Sequence, residues 1–111
     1  MKTREIPRDE WTMFFKNFSR RQEGWRMKLE VFRADIGDQI EERDLVLAGV
    51  VAELSERGDL IEVMLGGKPS KHITHMIHDP ILIELQQTDL GVDAALLIKS
   101  ADGTTNLLHL S

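Results

Sequence analysis

Apolar residues recur along this chain with two different periods. Between Pro7 and Gly24 the period is helical: Trp11, Phe14, Phe15 and Phe18 fall at i, i+3, i+4 and i+7, which gathers four of the six aromatic residues into one stripe. Pro7 suits a first helical turn, Asp9 and Glu10 follow where the helix dipole favours acids, and Arg20 and Arg21 precede Gly24, a natural stop. From Trp25 onward the period becomes two. Trp25, Met27, Leu29 and Val31 alternate with Arg26, Lys28 and Glu30, the signature of a half-buried strand.

The most apolar stretch, Leu45 to Leu54, turns through Glu56, Arg57, Gly58 and Asp59 and returns as Leu60 to Leu65, which predicts a central β-hairpin. The expected register sets Leu54 against Ile61, Ala52 against Val63 and Val50 against Leu65, leaving Glu53 and Glu62 opposed on the other face. Lys71 to His78 and Ile81 to Gln86 read as short strands separated by Asp79-Pro80, and Thr88 to Asp93 as a loop. Ala94 to Ala101 and Thr104 to Leu110 flank Asp102-Gly103, a strong signal for a two-residue turn with both central residues at positive φ. That turn would pair Ile98 with Leu107, Leu97 with Leu108 and Lys99 with Asn106.

These elements predict an α+β fold in a single domain spanning 1–111: an N-terminal amphipathic helix packed on a curled, mainly antiparallel sheet of six or seven strands, a small barrel or half-barrel. A chain of 111 residues is long enough for one core without staples. It has no cysteine, which removes disulfides, thiol catalysis and thiolate metal sites. No apolar run reaches the roughly 18 to 20 residues of a membrane span, and the opening Met1 to Glu5 lacks a signal-peptide core, so the expected location is cytoplasmic, without membrane association.

Charge is unevenly spread. Residues 1–33 carry nine basic and five acidic groups, whereas residues 34–111 carry five basic and fourteen acidic. A basic N-terminal element beside an acidic sheet neutralises itself, and no nucleic-acid partner is expected.

Candidate chemistry is sparse. Asp35, Asp38, Glu41 and Glu42 cluster in a polar stretch, Ala34 to Arg43, without calcium-loop spacing, which favours a solvated loop or edge strand. Gly66-Gly67-Lys68-Pro69-Ser70 lacks the spacing of a phosphate-binding loop. His72, His75 and His78 recur every third residue, a ligand-like spacing on a helix. Strand-forming neighbours put His75 on the opposite face and hold His72 and His78 roughly 20 Å apart, too far to share an ion. None of the five serines sits in a nucleophile elbow. No catalytic residue, metal or cofactor is therefore assigned, and His72, His75 and His109 stand as pocket candidates.

The segment Lys2 to Trp11, the run Phe18 to Trp25, the hairpin Gly58 to Gly66 and the closing Ser100 to Thr105 together resemble a bacterial family of small uncharacterised proteins, classed as a domain of unknown function. The resemblance implies a small single-domain bacterial protein and carries no activity, ligand or site residues with it. The leading expectation is a non-catalytic interaction or binding module, with a protein partner or a second copy of itself. The alternative is a small-molecule binder or enzyme using a pocket at the mouth of the curled sheet.

Overall fold

A computed structural model describes residues 1–33, 39–66 and 72–110, and of residues 39–44 the backbone alone. The helix is not the first element: strand β1 (Lys2–Glu5) precedes it. A 3₁₀ turn at Arg8–Glu10 leads into α1 (Trp11–Gln22), which ends as expected before Gly24. Seven more strands follow: β2 (Arg26–Arg33), β3 (Gln39–Glu53), β4 (Leu60–Leu65), β5 (Ile73–His78), β6 (Pro80–Gln87), β7 (Asp93–Ser100) and β8 (Thr105–Leu110). The expected six or seven strands are thus eight among the described residues, because Lys2 to Glu5 is too short and too charged to show an apolar period.

All pairings are antiparallel, in the order β1-β6-β7-β8-β2-β3-β4-β5. Two runs of consecutive strands are visible in that order, β2 to β5 and β6 to β8, joined where β8 pairs with β2. The sheet curls strongly. On a flat sheet β5 and β6 would stand six strand spacings apart, about 29 Å, yet Asp79 alone connects them. Asp79 makes this corner at φ 51, a left-handed conformation that aspartate tolerates better than most residues. Its N–H donates to the Asp59 carbonyl at 2.9 Å and its carbonyl accepts from Ala101 N–H at 2.9 Å. Among the described residues the curl stops short of closure: β1 and β5 remain the two ends, with no ladder between them.

Strand β3 explains the bend. Residues 39–46 pair with β2 and the remainder with β4, with a register shift between Leu47 and Gly49. Past that bulge β2 no longer covers the strand, and α1 takes its place. Gly24 N–H and Trp25 carbonyl bond to the backbone of Leu47. The Ser19 hydroxyl accepts from Val50 N–H at 2.8 Å and donates to Val50 carbonyl at 3.0 Å, so one side chain stands in for a missing strand. Trp11, Phe14, Phe15 and Phe18 are all buried, in one cluster with Met27, Leu29, Leu47, Ile61, Ile83, Leu96 and Leu108 among others. Trp11 Nε1–H is satisfied by the Ile6 carbonyl at 2.7 Å. Met27, Leu29 and Val31 are buried as the alternation requires, while Trp25, just ahead of the strand, is 56% exposed.

Both hairpin registers differ from expectation. In β3–β4 the partners are Ala52 with Ile61 and Val50 with Val63, two residues from the expected pairing. The turn is longer because it is tied internally: Asp59 carboxylate accepts from Ser55 N–H and Ser55 hydroxyl accepts from Arg57 N–H, each at 3.1 Å. A shift of two preserves the faces and takes Glu53 and Glu62 out of direct opposition, Glu62 now facing Val51 and Glu53 facing Leu60. In β7–β8 the partners are Lys99 with Thr105, Ile98 with Asn106 and Leu97 with Leu107. Ser100 N–H bonds to Thr104 carbonyl around a three-residue loop in which only Gly103 has positive φ, +90, and Asp102 caps Thr104 N–H at 2.9 Å. That is the three-residue hairpin with glycine at its left-handed position, not the two-residue turn.

The 39–43 part of the polar Ala34 to Arg43 stretch belongs to β3, whereas the carboxylates of its cluster, like Gly67 to Ser70, lie outside the described residues.

Candidate functional site

Two buried polar side chains stand out among the described residues, Ser100 (4% exposed) and Asn106 (2% exposed). Each sits in phase with the core of its strand: Ser100 follows Leu96 and Ile98 on β7, and Asn106 precedes Leu108 on β8. Both line the same cavity, of about 260 Å³, with Val31 and Arg33 at the end of β2, His75 to His78 of β5, and Asp102 and Thr104 of the β7–β8 turn. The cavity therefore lies between β5 and the facing ends of β2, β7 and β8.

His75 Nε2 is 2.7 Å from Asn106 Oδ1. On a flat sheet β5 and β8 would lie four spacings apart, about 19 Å, so this bond spans the interior of the curl. An amide oxygen only accepts, so His75 Nε2 is the donor in this bond. Among the described residues no protein acceptor meets the Asn106 amide N–H groups, and no side-chain bond engages the Ser100 hydroxyl. Buried polar groups are nearly always paired, and an orphaned one costs roughly 1–3 kcal/mol.

Charge around the cavity is mixed. Asp102 is held below the ordinary carboxyl range chiefly by the backbone and side chain of Thr104, with Arg33 adding a favourable charge against the opposing effect of desolvation. Arg33, His75 and His78 supply the basic groups.

Of the three histidine candidates, only His75 enters this cavity. His72 precedes β5, exposed, and is not among the lining residues. His109 is on the opposite face of β8 from Asn106, with Nε2 at 3.3 Å from Glu30 Oε1. On β5 the burial pattern alternates, with His75 inward and His78 outward, as strand geometry requires. Sequence reasoning missed Arg33, His78, Ser100 and Asn106. The signal for the last two was present: a polar residue in phase with the apolar face of its strand.

Elsewhere the ionic groups serve the fold. Asp93 accepts from Arg21 Nε at 3.1 Å, Gln22 Nε2 at 2.9 Å and Gln87 Nε2 at 2.9 Å, tying the end of α1 to β6 and β7. Arg8 holds Asp59 with two bonds, at 2.6 and 2.8 Å, and pins the turn before α1 to the β3–β4 loop. Among the described residues no three groups of metal-ligating type converge, and no helix is long and apolar enough to cross a membrane.

The model of a family of unknown function, DUF5335, matches residues 2–111. An uncharacterized protein of Aquifex aeolicus strain VF5 is 26% identical over 110 residues, covering 99% of this chain and 93% of that one. No solved structure matches.

Proposed function

Because the chain belongs to the family of unknown function DUF5335, we propose its role from the cavity itself: a non-catalytic, cytoplasmic binding module whose ligand presents hydrogen-bond acceptors to Asn106 and Ser100. One observation carries this reading, that the two buried polar residues Ser100 and Asn106 both line one cavity and keep donor capacity that no described residue takes up. A ligand oxygen would satisfy them at a site where the fold otherwise bears their cost. A binding role suits His75 better than an acid-base role. Its partner is a neutral amide, which orients the ring, and not a carboxylate of the kind that pairs with catalytic histidines.

Ligand-observed NMR against a panel of small polar metabolites and short peptides tests the reading. Binding by the wild type that is lost in Asn106→Leu supports it. Ligands that bind both proteins alike, or no binding by either, refute it.

A further inference from the structure

The cavity runs along a strand edge rather than into a closed barrel. Its β5 lining comprises four consecutive residues, His75, Met76, Ile77 and His78, although alternate side chains of a strand point to opposite faces. A space beside the edge of a strand is one that residues of both faces reach. The hydrogen-bond phase shows what the edge offers. Asp79 N–H donates to Asp59 carbonyl, and Asp59 stands opposite Asp79 when the β4–β5 register is continued, so odd-numbered β5 residues direct their backbone groups toward β4. Gly66 N–H donating to Val46 carbonyl gives the same phase on β4: even residues there face β3 and odd ones face β5. The N–H and C=O groups of Thr74, Met76 and His78 therefore point to the open edge, at intervals of about 6.7 Å.

The two ends of the sheet are treated differently. Edge strand β1 is four residues long and carries Lys2, Arg4 and Glu5, the usual protection against adding a strand. Edge strand β5, Ile-Thr-His-Met-Ile-His, has no acid, lysine, arginine or proline, and Met76 is 53% exposed.

We propose that this gap accepts an extended, uncharged peptide segment of a partner protein, which adds as a strand along β5 and turns carbonyl oxygens toward Asn106 and Ser100. The inference rests on the cavity reading above and specifies its ligand. Alternating donors and acceptors on one wall match a peptide backbone at every second residue. The lining carries one formal positive charge, Arg33, and one negative, Asp102, and so is balanced. An uncharged segment therefore matches it best.

The probe is a phage-displayed library of random octapeptides panned on the full chain, with the enriched peptide synthesised and titrated by calorimetry. Methylating its backbone nitrogens one at a time should weaken binding by about tenfold or more at every second position and little between them. Met76→Pro should weaken the same peptide comparably while the protein stays folded, since the N–H it removes faces the edge and not β4. Should that variant unfold, the methylation series, which leaves the protein untouched, decides alone. A library without an enriched sequence, a methylation series without the two-residue period, or a folded Met76→Pro that binds as wild type overturns the proposal. If small metabolites bind in an Asn106-dependent way while no peptide does, the strand assignment falls and the cavity reading stands. If Asn106→Leu alters no binding at all, the cavity reading falls too. Dimerisation by sedimentation that Met76→Pro abolishes would overturn the partner peptide in favour of a second copy of this chain.

Discussion

Replacing Asn106 with leucine should stabilise the protein. Asn106 is 2% exposed, and its amide N–H groups find no acceptor among the described residues. Removing an orphaned buried donor recovers roughly 1–3 kcal/mol, and a leucine in phase with Leu108 adds about 1 kcal/mol of apolar burial. Against this stands the lost bond to His75, worth about 1 kcal/mol. The freed imidazole is half-buried, unlike Asn106 at 2% exposed, so water reaches its Nε2–H where it does not reach the asparagine amide. The balance is a gain of about 1–3 kcal/mol, or a melting temperature higher by roughly 5 °C or more for a domain of this size. Thermal and urea unfolding of both proteins, without ligand, measure it. Stability gained at the cost of a ligand site is the trade expected where function opposes packing. A variant destabilised by about 1 kcal/mol or more would show that the asparagine is already fully bonded, and would remove the ground for placing a ligand there.

Phe15 is 1% exposed in the main core, so Phe15→Ala should cost about 3–5 kcal/mol, and an unmoved urea midpoint would contradict its packing. Burial alone would raise the Asp93 carboxyl, but bonds from Gln87, Gln22 and Arg21 outweigh it and hold the group below its usual value. A carboxyl depressed on folding contributes stability above its unfolded pKa of about 3.9, and loses it as pH falls through the folded value. Asp93→Asn should therefore be less stable than wild type at neutral pH, with the gap narrowing below about pH 4 in paired urea titrations. Nucleic acid should not bind near physiological salt, because fourteen acidic groups beyond residue 33 oppose the basic N-terminal third. Mobility shifts at micromolar protein that vanish when Arg20 and Arg21 become alanine would refute this.

Local period was legible in the sequence, and long-range placement was not. The stripe from Trp11 to Phe18 and the alternation from Met27 to Val31 map directly onto buried faces, because burial repeats with the element's own geometry. Registers depended on turn chemistry that hydrophobic pattern does not encode. The internal bonds of Ser55, Arg57 and Asp59 lengthened one loop by two residues and left its faces intact. The three-residue loop at Ala101 to Gly103 shifted the other hairpin by one, which changes a residue's partner: Asn106 belongs opposite buried Ile98 and not exposed Lys99. Paired with a lysine, Asn106 looked like surface, and the site was lost with it. His75 was found as a candidate, but its contact with β8 depends on the curl, which arises from the β3 bulge and the corner at Asp79.

The two runs of consecutive strands also bear on how the chain reaches this state. Within β2 to β5 and within β6 to β8 every pairing closes a short loop, at little entropic cost. The β8–β2 seam instead joins residues about eighty positions apart, and neither run can bury its inner face until that seam forms. Leu29 and Leu108, opposed across it and fully buried, are where a lost methyl group should slow folding more than it hastens unfolding, an asymmetry visible in the two arms of a chevron plot. Substitutions in β1, the short charged edge, should act on the unfolding arm. The speed at which this protein matures would then be set by one pair of strands near opposite ends of the chain.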